Sequence, residues 1–79
     1  MNKLLLQESN SIKAIYRYFP NGGSNFGIVE YLFAEKSAKL TQKATDDDTG
    51  HFGNQALLKV EKVIADEKAL PLELTQAWC

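Results

Sequence analysis

Apolar and polar residues alternate with a period of two through "SIKAIYRYF", residues 11–19, and again through "FGIVEYLFA", residues 26–34. Successive side chains of a strand point to opposite faces. Ile12, Ala14, Tyr16 and Tyr18 therefore share one face, and Lys13, Ile15, Arg17 and Phe19 share the other. In the second segment Val29, Tyr31 and Phe33 oppose Ile28, Glu30 and Leu32. β-Branched and aromatic residues, which suit a pleated half-buried surface, dominate both. "AKLTQKA", residues 38–44, sets Ala38, Leu40, Gln42 and Ala44 against Lys39, Thr41 and Lys43, the pattern of a strand with one wet face. The N-terminal "KLLLQ" reads as a short strand or an ordered arm, followed by the turn-prone "ESNS".

"PNGGSN" separates the two aromatic-rich segments: Pro20 cannot donate to a ladder, and Asn21, Gly22 and Gly23 tolerate positive φ. Gly27, inside the next strand, leaves room for a ring or a neighbouring backbone to come close. Consecutive strands on short connections predict an antiparallel meander.

The period changes after "TDDDTG". From His51 to about Lys68, Phe52, Ala56, Val60, Val63 and Ile64 recur at helical spacing, joined on one stripe by Gly53 and Leu57. Leu58 lies opposite that stripe. Asp48 or Thr49 is the expected N-cap, and the run Asp46-Asp47-Asp48 suits the positive end of the helix dipole. The helix ends before Pro71, and "LPLELTQAW" returns as an extended segment, a candidate last strand that brings Trp78 against the sheet. The expected architecture is α+β: a three- to four-stranded antiparallel meander, one amphipathic helix packed on one face, and an extended C-terminal segment.

Composition narrows this picture only slightly. Seventy-nine residues suffice for a single small domain over 1–79, and 44% hydrophobic with 24% charged residues is ordinary for a globular chain. Nine basic against ten acidic residues leave a net charge of −1, so no long-range field draws the protein to nucleic acid or an anionic membrane. Cys79 is the only cysteine, which excludes an internal disulfide and fits a reducing compartment; intermolecular oxidation in vitro is its expected chemistry. No apolar stretch reaches the ~20 residues of a membrane span, and "KLLL" is too brief for a signal-peptide core. The expected location is cytoplasmic.

Candidate chemistry is sparse. Gly22, Gly23 and Gly27 lack the G-x-G-x-x-G spacing of a dinucleotide fingerprint, a strand follows them where a helix is needed, and no lysine makes a Walker loop. Asp46, Asp47, Asp48 and His51 invite a cation, yet EF-hand registers starting at Thr45 or Asp46 place Ala56 or Leu57 where the bidentate glutamate belongs. Zinc would need further His or Cys ligands, and beyond His51 only Cys79 exists. His51 has aspartates nearby but no G-x-S-x-G nucleophile elbow, so it reads as a capping or surface imidazole. No catalytic residue, metal or cofactor is expected.

"YRYFPNG" at Tyr16 to Gly22, "FGIVEY" at Phe26 to Tyr31, the spaced Asp48, Gly50, Phe52 and Ala56, and the late "LP" before Ala77-Trp78 make the chain resemble a group of small bacterial proteins with no assigned activity. In that group an aromatic usually follows the tryptophan, where this chain has Cys79. The resemblance implies a compact α+β domain and brings no site residue.

With one helix, only one sheet face is covered. Ile15, Phe19 and one alternating set of the second strand must face solvent or a partner, and grouped exposed aromatics mark association surfaces. The expected function is a non-enzymatic protein–protein interaction module, self-associating through the open face or an edge strand. Its contacts are sought among Tyr16, Tyr18, Phe19, Tyr31, Phe33 and Trp78, about half of which must be core. The alternative is a weak nucleic-acid or regulatory-ligand binder using Lys13, Arg17, Lys39 and Lys43.

Overall fold

The computed structural model describes residues 2–20 and 24–76. The elements are β1 (Asn2–Ser9), β2 (Lys13–Pro20), β3 (Gly27–Leu32), β4 (Ser37–Gln42), α1 (His51–Glu67) and β5 (Glu73–Gln76). One five-stranded sheet has the order β4-β3-β2-β1-β5, with every neighbouring pair antiparallel. The expected α+β class holds, but the strand count of three to four is too low.

The fifth strand is the extended C-terminal segment. After Pro71 ends any helical continuation, Glu73 to Gln76 pair with Leu5 to Asn2. Of the two readings of "KLLLQ", a short strand or an ordered arm, the structure has the strand. The segment forms the middle of an eight-residue strand with neighbours on both sides. Leu4 is fully buried, and Leu5 and Leu6 are half-buried on opposite faces, which suits an inner strand. β1 turns into β2 at Asn10, whose side-chain oxygen accepts from the amides of Ile12 (2.8 Å) and Lys13 (3.0 Å). The turn expected at Asn21-Gly22-Gly23 lies outside the described residues.

The core lies between α1 and one face of the sheet. Leu4, Ala14, Tyr16, Tyr18, Val29 and Tyr31 meet Ala56 and Val60. Gly53 and Val63 extend the buried helix stripe at spacings of three and four residues. Leu58, on the opposite side, is exposed. Among the described residues, no helix is long and apolar enough to cross a membrane.

Tyr16 and Tyr18 point to the same side of β2 but reach opposite ends of the helix. The Tyr16 hydroxyl donates to the Pro71 carbonyl at 2.8 Å, just beyond the helix C-terminus. The Tyr18 hydroxyl donates to Asp47 Oδ2 at 2.8 Å, just before the N-terminus, and accepts from the Ala44 amide at 2.9 Å. Burying such hydroxyls is tolerable only because each finds a partner.

The helix start departs from expectation. Neither Asp48 nor Thr49 caps it. Gly50 occupies the cap position with φ 77° and no side-chain bond. Asp47 acts instead, through Oδ1 to the Phe52 amide (3.1 Å) and Oδ2 to the Gly53 amide (2.9 Å). Two tight turns, Asp47 N–H to Ala44 O and Gly50 N–H to Asp47 O, fold its carboxylate back beneath the first helical turn.

Close packing around Tyr18 demands two glycines. A Cβ on Gly27 would stand 2.2 Å from Tyr18 Cε1 and 2.5 Å from the Gln42 carbonyl, so where a ring or a neighbouring backbone was expected to come close, both do. A Cβ on Gly53 would meet the Leu40 methyls at 2.7 and 2.8 Å and the Tyr18 hydroxyl at 2.9 Å. Gly27→Ala is therefore expected to destabilise by about 3 kcal/mol through overpacking against backbone. Urea unfolding measures this, and a change within ~0.5 kcal/mol, the range of neutral surface substitutions, contradicts the packing described.

Candidate functional site

The acidic turn was the first candidate for chemistry, and its geometry is structural. Both Asp47 oxygens are engaged by Tyr18, Phe52 and Gly53. Asp46 and Asp48 are exposed, and the Asp48 carbonyl accepts from Lys43 Nζ at 2.9 Å. His51 is exposed, its ring edge-on to Phe52 at 5.6 Å. Among the described residues, no three His, Cys, Asp or Glu side chains converge as metal ligands.

Electrostatics follow from this network. Burial pushes the Asp47 carboxyl up, but the bonds from Tyr18, Gly53 and Phe52, with the charge of His51, outweigh it and hold the group below its ordinary 3.8. Burial pushes the Tyr16 hydroxyl up to about 12. Tyr18 rises to about 12 as well, chiefly by burial, against the Ala44 amide and with help from Asp47 and Asp46. At neutral pH Asp47 is an anion receiving a proton donor from neutral Tyr18.

The open face of the sheet is the remaining candidate. Register and alternation place Lys3, Leu5 and Glu8 of β1 on it, with Lys13, Ile15, Arg17 and Phe19 of β2. Ile28, Glu30 and Leu32 of β3, Lys39 of β4 and Glu73 and Thr75 of β5 lie on it as well. Leu5, Ile15, Phe19, Ile28 and Leu32 are half-buried although no described helix or strand packs over them. Flanking polar side chains supply the shelter. Arg17 lies 4.6 Å above the Phe26 ring, and its Nε donates to Gln7 Oε1 at 2.7 Å. Phe26 in turn meets Phe19 at 5.6 Å between ring centres. Lys13 pairs with Glu30 at 3.5 Å and Lys3 with Glu73 at 3.7 Å.

The aromatic residues singled out from the sequence divide between the two sides. Tyr16 and Tyr18 are wholly buried and Tyr31 is 5% exposed, so these three pack on the helix side and none lies on the open face. Their hydroxyl and ring packing under α1 is the physical reason. Phe33 is half-buried, edge-on to Tyr31 at 5.6 Å on the helix side. Phe19 alone of the described members lies on the open face, and Trp78 lies outside the described residues. Of the basic set, Lys13, Arg17 and Lys39 share the open face, whereas Lys43 turns to the helix start. Phe26 and Gln7 were missed. Finding them needs the strand register and the bulge between Leu6 and Glu8, which alternation alone does not reveal.

The edges of the sheet are unequal. Glu61 of α1 reaches the β4 edge and accepts from the Ala38 amide at 2.7 Å. A helix side chain thus occupies a donor that a docking strand would use. No protein-family model, curated protein or solved structure matches this chain, so the assignment of a site rests on its own geometry.

The network around Asp47 predicts the limits of stability in pH. The folded Asp47 value lies below the unfolded one, so its contribution is whole above 3.8 and is lost as pH falls through the folded value. The folded tyrosine values lie above the unfolded 10.0, so their contribution is whole below 10 and is lost as pH rises towards 12. Urea midpoints measured across pH should fall in both windows, and Tyr16→Phe and Tyr18→Phe should each flatten the alkaline fall. Midpoints that stay level between pH 10 and 12 in the parent protein contradict the buried hydroxyls.

Proposed function

We propose that the protein is a non-enzymatic interaction module that works through the open sheet face, with a second copy of this chain as the partner. The observation that carries this reading is the patch of Leu5, Ile15, Phe19, Phe26, Ile28 and Leu32, enclosed by charges of both signs. Apolar side chains grouped on a sheet and left without a covering layer gain by burial against a like surface.

Charge selects among partners. Lys3, Lys13, Arg17 and Lys39 are offset on the same face by Glu8, Glu30 and Glu73. Two of those cations are already paired with glutamates, and Arg17 is held against Phe26. A nucleic-acid surface needs a sustained positive groove. A face of interspersed signs fits a partner of the same mixed character, which another copy of this face provides. The cap on the β4 edge favours the face over strand addition there.

Sedimentation across a concentration series tests the proposal. The parent protein is expected to self-associate with little dependence on salt, and Ile15→Glu is expected to leave a folded monomer. Leu58→Glu, on the exposed back of the helix, is expected to change nothing. A parent protein that stays monomeric at high concentration overturns the reading. Oligonucleotide binding that falls steeply with salt would instead favour the basic residues as the working groups.

A further inference from the structure

A groove of about 520 Å³ lies on the opposite side of the molecule, between the C-terminal half of α1 and the β3–β4 turn. Its helix wall is Glu61, Ile64 and Ala65 on one side of α1, continued by Lys68 just past the helix end, over roughly 10 Å. Tyr31 and Phe33 form the facing wall, Leu70 closes it, and the small Ala65 and Ala69 leave the channel unfilled. The volume falls within the usual range for small-molecule sites, ~300–1,000 Å³.

The backbone at its rim is unusual in a consistent way. Lys36 (φ 53°) and Lys68 (φ 54°) are the only non-glycine residues with left-handed backbone among the described residues, and both line this groove. Each sits where glycine is the unstrained choice. Lys68 follows the helix, its amide bonding Ile64 O at 2.8 Å, and Lys36 ends the β3–β4 turn. Left-handed strain retained at a concave surface is a pointer to function. Both lysines are exposed, and neither makes a salt bridge among the described residues. The Glu61 carboxylate in the same groove is committed to the Ala38 amide.

We infer that this groove binds a medium-chain aliphatic carboxylate, its chain lying along Tyr31, Phe33, Ile64 and Leu70 and its carboxylate held by Lys36 and Lys68. Apolar walls bury the chain, and two cations at the rim supply the complementary charge that selects the head group.

Titration with decanoate below its micelle concentration, followed by amide NMR shifts and calorimetry, tests this. Saturable shifts are expected at Tyr31, Phe33, Ile64 and Leu70. The double variant K36G/K68G should bind about tenfold or more weakly while melting at a higher temperature, because glycine relieves both strained positions. Ile15→Glu on the open sheet face should leave binding intact, which separates this result from the fate of self-association. Decylammonium or decanol binding as tightly as decanoate, undiminished affinity in K36G/K68G, or no saturable shifts at the groove would each overturn the inference.

Discussion

Two buried hydroxyl groups on one strand determine where the helix lies. Tyr16 and Tyr18 are separated by a single residue, so their rings leave β2 on the same face. One hydroxyl is satisfied by the carbonyl of Pro71 and the other by the carboxylate of Asp47, which also caps α1. The tether is polar and directional, whereas the apolar packing of Ala56, Val60 and Val63 beneath the helix is not. Apolar burial supplies most of the driving force. The tyrosine bonds set the position and ends of the helix, because a shift would strand buried donors.

The rest of the architecture follows from that anchoring. A helix seventeen residues long, held at both ends against one side, leaves the reverse of the sheet to its own side chains. That surface is neither a second core nor an ordinary wet face. Its aliphatic residues are sheltered by Arg17 over Phe26 and by two lysine–glutamate pairs, an arrangement that lowers the exposure of the patch without removing it. On the helix side, a groove framed by two left-handed lysines lies between α1 and the β3–β4 turn, closed by Leu70. The two surfaces are physically separate and draw on different residues.

Much of this was legible in the sequence, and the gaps have identifiable causes. Alternation through "KAIYRYF" and "GIVEY" sorts residues into two sets correctly, although Ile12, grouped with Ala14 and the tyrosines, lies before β2 and is exposed; the helix stripe through Ala56, Val60 and Val63 is recognisable from its spacing. Alternation does not say which set faces inward. Tyr16 and Tyr18 read equally well as contact residues until their hydroxyl partners are known, and those lie 55 and 29 residues away. The cap at Asp47 was hidden for a similar reason, since it acts across two tight turns and not from the adjoining position. The fifth strand depends on pairing between the two ends of the described chain, a contact with no local signal. Gly27 was the exception: a glycine inside an aromatic strand announced a close approach, and Tyr18 makes it.

Hydrogen exchange in Tyr18→Phe examines the anchoring most directly. The Ala44 amide bonds the Tyr18 hydroxyl, and the Phe52 and Gly53 amides bond the carboxylate that this hydroxyl steadies. If the tether governs the helix start, these amides lose protection in the variant while the central strands β1 to β3 keep theirs. Protection at Ala44, Phe52 and Gly53 that matches the parent protein would show that apolar packing alone positions the helix.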